Sequence, residues 1–190
     1  MRFLHKADSG TVLKTNKDSQ SKRILLILCL AVFVVTASGC SRSGGGSGPD
    51  LFSPLSLPDT EGKTMSLSDY RQKIIVLEFF ATWCEPCRQT APVLQKLSEK
   101  YRDNGVVVLA VSLDEGSDVA AKLKQFRERH KVSYRIAIGN AGVKKKYNAF
   151  VLPTTYIFDR KGMVAVKHHG ITQNYSQRLK GEIEKLINKK

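Results

Sequence analysis

The stretch Ile74-Ile75-Val76-Leu77-Glu78-Phe79-Phe80 shows no apolar-polar alternation, and it runs through Ala81-Thr82 straight into Trp83-Cys84-Glu85-Pro86-Cys87. A strand that is apolar on both sides must be covered on both, which places it inside a parallel or mixed sheet between layers of helix. A sheet with one wet face does not fit. Beyond the cysteines, Ala91, Leu94, Leu97 and Tyr101 recur at helical spacing, and Asn104-Gly105 stop the run, so a helix is expected from Pro86 to Tyr101. Pro86 falls in the first turn, where a helix has no use for that N–H. Two thiols therefore stand at the start of a helix that leaves a buried strand, and the helix dipole there stabilises a thiolate.

Cys-x-x-Cys also supplies half of many zinc sites, the other half being a second Cys or His pair. The remaining cysteines are Cys29, inside the apolar run Ile24 to Val35, and Cys40, behind Ala37-Ser38-Gly39, while His5, His130, His168 and His169 form no pair at ligand spacing. No second half is at hand. The pattern points to a reversible disulfide and electron exchange, with neither a metal nor a bound cofactor expected.

Lys22-Arg23, the run ILLILCLAVFVV and then Thr36-Ala37-Ser38-Gly39-Cys40 follow the charged, apolar and small-residue order of a secretory signal. The apolar run is shorter than the roughly 18 to 20 residues that span a bilayer, although the uncharged stretch continuing to Cys40 leaves an uncleaved anchor as the alternative. Ala-Ser-Gly-Cys resembles a bacterial lipobox, with Ala37 where leucine is commoner, and acyl chains on Cys40 would supply membrane affinity. The tract Ser41 to Pro49 has the composition of a flexible tether. The expected organisation is a lipoprotein-type signal peptide at 1–39, a tether at 40–50 and one domain at 51–190. Residues 1–23 are long for a signal n-region, which leaves the translation start open.

The formal net charge is +14. Export argues against nucleic acid as the partner and favours anionic head groups or acidic protein surfaces. Lys144-Lys145-Lys146 reads as a solvated face with no specific role.

Two short extended pieces, Asp50 to Pro58 and Thr64 to Leu67, flank a turn at Asp59 to Lys63. Val106 to Val111 is the next buried strand, and Ser117 to Lys131 carries Val119, Leu123, Phe126 and His130 on one helical face, His130 being a helix-end residue there. Tyr134 to Ile138 is a short strand, and 139–150 is expected to be basic and turn-rich. Thr154 to Phe158 and Met163 to Val166 form a hairpin around Asp159-Arg160-Lys161-Gly162, and Tyr175, Leu179, Ile183 and Leu186 mark a closing helix weakened by Gly181. The order predicts an α/β sandwich.

VLEFFATWCEPC, Pro92 in the helix behind it, Leu152-Pro153-Thr154 before a strand and the DRKG hairpin together resemble the thioredoxin fold. With the N-terminal extended pieces and the lipoprotein leader, the chain is similar to the membrane-tethered TlpA/ResA group of thiol-disulfide oxidoreductases over 51–190. The resemblance implies a central mixed β-sheet flanked by helices, with an N-terminal β-hairpin extension. It implies that Cys84 is the nucleophile, partly exposed and of depressed pKa, and that Cys87 is the shielded resolving thiol. Glu85 and Pro86 complete the motif. Trp83 becomes a lid that contacts substrate, and Pro153 a cis-proline that presents the backbone of Leu152, beside Thr154, to an extended substrate.

Glu78 is a carboxylate in an apolar strand, and burial raises the pKa of such a group towards neutrality. Thioredoxins have an acid at the matching position that accepts a proton from the resolving cysteine, and Glu78 is assigned that role towards Cys87. ResA-like proteins commonly carry a glutamate three residues after the second cysteine, where this chain has Thr90. A general disulfide reductant is therefore expected more than a specialist in cytochrome c maturation.

These features together describe an extracytoplasmic protein-disulfide reductase that acts on disulfides of exported proteins and is re-reduced by a membrane thiol donor. It is expected as a monomer at the periplasmic face, held to the membrane by lipid on Cys40. Run in reverse, the same fold is a dithiol oxidase, because direction follows potential and partners. From another class, the dithiol with His168 or His169 could bind copper(I) as a metallochaperone, although copper-delivery relatives space their cysteines more widely. A peroxidase would need a Pro-x-x-x-Thr/Ser-x-x-Cys arrangement, which nothing before Cys84 supplies.

Overall fold

A computed structural model describes residues 55–189. The expected leader, Cys29, Cys40 and the tether lie outside the described residues. Among the described residues no helix is long and apolar enough to cross a membrane.

Strand β3 (Ile74–Phe80) is buried at every position, as its composition requires. It lies at the centre of a five-stranded sheet of order β5-β4-β3-β6-β7. Strands β4 (Val106–Ser112) and β5 (Arg135–Ile138) run parallel to it, whereas β6 (Thr154–Phe158) and β7 (Val164–His169) form an antiparallel hairpin on its other side. The sheet is mixed.

Side chains alternate across β3 and divide the core in two. Ile74, Val76 and Phe80 pack with Leu94, Leu123, Leu179 and Ile183 beneath helices α1 (Glu85–Lys100), α2 (Val119–His130) and α4 (Tyr175–Asn188). Ile75, Leu77 and Phe79 face the opposite side with Met65, Leu67, Tyr147 and Tyr156. By that alternation Glu78 belongs to the first face.

The N-terminal extension is a small hairpin of β1 (Ser56–Pro58) and β2 (Thr64–Ser66). Asp59 in its turn fastens it to the sheet, bridging to Ala137 and pairing with Arg135 at 2.9 Å.

Two elements differ from expectation. The stretch 139–150 contains helix α3 (Ala141–Lys146), whose Asn140 cap accepts the Val143 N–H at 3.0 Å. A helix this short and rich in lysine shows no apolar stripe, and its support comes from the cap and from Tyr147 and Ala149, both fully buried beyond its end. Strand β7 extends to His169 rather than stopping near Val166, because its pairing with β6 continues to Thr154. The hairpin turn between them is set by Asp159 Oδ1, which accepts the N–H groups of Lys161 and Met163.

Candidate active site

Chain direction alone puts the dithiol at the carboxyl end of β3. Cys84 caps α1, with its N–H donating to the Ala81 carbonyl at 3.1 Å and its sulfur accepting the Cys87 N–H at 3.3 Å. Pro86 sits in the first turn and Glu85 pairs outward with Arg88 at 2.6 Å. Cys84 and Cys87 are joined in a disulfide. Cys87 is fully buried, and Cys84, expected to be partly exposed, is only 5% accessible. Bonded to Cys87 within one turn, Cys84 meets solvent through a cleft.

That cleft, of about 350 Å³, is lined by Trp83, Cys84, Glu85 and Pro86 on one side and by Leu113, Lys144, Ala149, Phe150 and Leu152 on the other. Trp83 is 69% exposed, and Phe150 and Val151 add apolar surface at 63% and 54%. The Leu152–Pro153 peptide is cis. Leu152 is half-buried in the wall, while Pro153 and Thr154 are buried. Thr154 shapes the loop from within, its hydroxyl donating to the Val151 carbonyl at 2.6 Å.

Neither Lys144 nor Phe150 was assigned to the site from the sequence. Lys144 is a correction, since the lysine run is not merely a solvated face: its ammonium lies 5.8 Å above the Phe150 ring and lines the cleft. The available signal was Phe150-Val151, two apolar residues in a turn-rich stretch directly before Leu152-Pro153.

Glu78 is 1% exposed, buried with the rest of its strand. Its carboxyl meets three hydroxyls from three elements. Thr90 of α1 lies 3.0 Å from Oε1, and Tyr175 of α4 and Thr155 of β6 lie 3.3 and 3.5 Å from Oε2. Burial is the largest influence on the carboxyl and pushes its pKa from 4.5 up to about 8, against the pull of the three hydroxyls. Burial and the neighbouring Glu78 charge hold Tyr175 far above its ordinary range, so it remains a donor.

Thr90 Oγ1 also lies 2.9 Å from the Cys87 carbonyl. A hydroxyl has one proton to give. When Glu78 is ionised, Thr90 donates to it; when Glu78 carries its own proton on Oε1, that proton is donated to Thr90, which turns to the Cys87 carbonyl. The acid and the first turn of α1 are thus linked through one side chain.

The histidines of β7 are engaged elsewhere. His168 Nε2 lies 2.7 Å from Glu182 of α4, and His169 Nδ1 lies 3.1 Å from Thr154 Oγ1. Among the described residues no group of three or more His, Cys, Asp or Glu is arranged to hold a metal ion.

A family model described as the AhpC/TSA family matches residues 50–167. Among curated proteins, the thioredoxin-like protein YneN of Bacillus subtilis is 35% identical over 126 residues, covering 66% of this chain and 71% of that protein. The thiol-disulfide oxidoreductase ResA of Bacillus thuringiensis subsp. konkukian is 33% identical over 147 residues, covering 74% and 81%. Among solved structures, one from Chlorobium tepidum, named for the DsbE type of thiol:disulfide interchange protein, has a TM-score of 0.65 at 27% identity and covers 70% of this chain and 93% of that one.

Proposed function

Because the chain belongs to the AhpC/TSA family and, within it, is a thioredoxin-like, ResA-like thiol-disulfide oxidoreductase, we propose that it works outside the cytoplasm as a reductase of disulfides in exported proteins. The observation that carries the exchange chemistry is Glu78, an acid buried in the central strand and tied through Thr90 to the turn that holds Cys87, while the direction rests on the potential and partners. A general acid-base is most effective with a pKa near the working pH, and burial brings Glu78 to about 8.

Starting from the dithiol, the Cys84 thiolate attacks one sulfur of a substrate disulfide. A bond forms between Cys84 and that sulfur, and the other substrate sulfur leaves as a thiolate that takes up a proton. Cys87 then gives its proton to the Glu78 carboxylate and attacks Cys84. The second substrate sulfur departs as a thiolate that takes up the proton from Glu78, the Cys84–Cys87 disulfide closes, and two electrons have passed to the substrate. A membrane thiol donor returns two electrons, one of its protons going to Cys87 and the other to solvent, which restores the Cys84 thiolate.

The exposed Trp83, Phe150 and Val151 and the cis loop at Leu152 suit an extended, partly apolar segment docked along the cleft. Main-chain recognition of that kind tolerates many sequences. Lipid on Cys40 would hold the domain at the membrane, the tether giving it reach.

Insulin-disulfide reduction should be lost in Cys84→Ser. A Cys87→Ala variant should accumulate substrates as mixed disulfides on Cys84, and the pair should be found mainly as dithiol in cells. A pool that is fully oxidised in cells would overturn the reductase direction in favour of the oxidase.

A further inference from the structure

A second, smaller cleft of about 130 Å³ opens between α1 and α2, and the disulfide exchange described above makes no use of it. Thr82, Arg88, Lys122, Gln125, Arg129 and His130 line it over the Phe126 ring. Two buried nitrogens on it are unpaired among the described residues. Arg88 spends Nη2 on Glu85, and its Nε is buried with no hydrogen-bond partner among the described residues. His130 Nε2, at the end of α2, is also buried and without one.

A buried polar nitrogen left unpaired costs about 1–3 kcal/mol. The Arg88 Nε–H can only donate, and His130 Nε2 donates in the tautomer that carries the ring proton there, so together they suit an acceptor. The nearby acids are already engaged: Glu85 with Arg88, Asp118 with Lys122 at 2.9 Å, and Asp114 with the Thr82 N–H, the Thr82 hydroxyl and the Ser112 hydroxyl. Arg129, by contrast, has no ion-pair partner among the described residues. The charge left uncommitted at the cleft is therefore positive.

We propose that this cleft is an oxyanion site, which takes a carboxylate or a tetrahedral phosphate- or sulfate-type group on the Arg88 Nε–H and the His130 Nε2–H, with Arg129 supplying the uncommitted charge. The volume suits one such group and is small for a nucleotide. Arg88 directly follows Cys87, and Thr82 directly precedes Trp83, so the anion would sit beside the dithiol. It arrives either as a free ion or as an acidic side chain of the substrate.

His130 already reports on these surroundings. Burial holds its pKa below the ordinary value, the charges of Arg129 and Arg88 lower it further, and Glu85 opposes them. Lys122, Asp118 and Asp114 complete the charged groups around the cleft. An anion between the two arginines reverses their effect and raises the pKa.

The test is a titration of the oxidised protein with sodium sulfate, against sodium chloride at matched ionic strength, followed by NMR at the His130 ring and the Arg88 Nε–H. Saturable shifts in the millimolar range and an upward move of the His130 pKa are expected with sulfate, since about 1 mM corresponds to a modest free energy for so small a ligand. Arg129→Gln, an exposed substitution, should weaken binding about tenfold with no loss of fold, as expected for one charge-assisted contact. Shifts that do not saturate, or that chloride reproduces, overturn the site.

A second arm compares exchange at Cys84 for two peptide disulfides that carry Asp or Asn beside the cysteine. An Asp advantage that sulfate cancels supports the site with the substrate as the source of the anion. Equal rates, together with saturable sulfate binding, support it with a free ion as the source.

Discussion

Thr90 occupies the place where the ResA-like pattern has an acid, and its hydroxyl is hydrogen-bonded to an acid on the neighbouring strand instead. The carboxyl stands on the sheet rather than on the helix, and burial raises its pKa from 4.5 to about 8. The sign of the linkage follows. In the unfolded chain Glu78 loses its proton at about 4.5, and in the folded protein at about 8, so the folded state holds more protons between those values and stability falls as pH rises through them. At about 1.4 kcal/mol for each tenfold difference, the loss is on the order of 5 kcal/mol by the alkaline end. Glu78→Gln should flatten this dependence, read as denaturant midpoints of the oxidised protein at a series of pH values; a midpoint that still falls steeply from pH 5 to 8 would refute the assignment. The same variant should slow resolution of the mixed disulfide by about 10²-fold at pH 7. Glu78 and the cysteines were legible in the sequence because each breaks a local pattern. Thr155 and Tyr175 were not, since they reach the carboxyl from 77 and 97 residues away and only the strand register and the seating of α4 bring them there.

At the scale of elements, the cleft wall opposite the dithiol comes from α3 and the loop that follows it. Strands and long helices announce themselves by apolar periodicity, and β3, β4, α1, α2 and α4 were readable in that way. Helix α3 was not, because its residues carry three lysines and one valine, and a side-chain cap and packing beyond its end hold it in place. Missing the helix meant missing Lys144 as part of a wall. Phe150 offers a direct check on that wall. Phe150→Ser removes apolar surface that a docked peptide would cover, so KM for a peptide disulfide should rise about tenfold with kcat nearly unchanged, the pattern of a contact equal in ground and transition states. Rates with a small aromatic disulfide that does not span the cleft should stay the same, and an equal loss with both substrates would instead mark a disturbed dithiol.

For the molecule as a whole, the proposed function gives the chemistry to the domain and the localisation to the N-terminal segment. Attachment at Cys40 is tested by metabolic labelling with a fatty acid: the wild type should be labelled and recovered with membranes, and Cys40→Ala should lose both properties. Equal labelling of the two would remove the lipid anchor. Within the domain, the alternation of β3 has a consequence for how such a protein can diverge. Glu78 and its hydroxyls lie on the side covered by α1 and α4, whereas the rim at Leu113, Ala149 and Phe150 is attached to the side covered by α3 and the N-terminal hairpin. Glu78 meets Thr90, Thr155 and Tyr175, and Phe150 meets Lys144, so Glu78→Gln and Phe150→Ser should combine without coupling, within about 0.5 kcal/mol. The sheet acts as a partition: descendants of this sequence can reshape the rim of the cleft without resetting the acidity of Glu78.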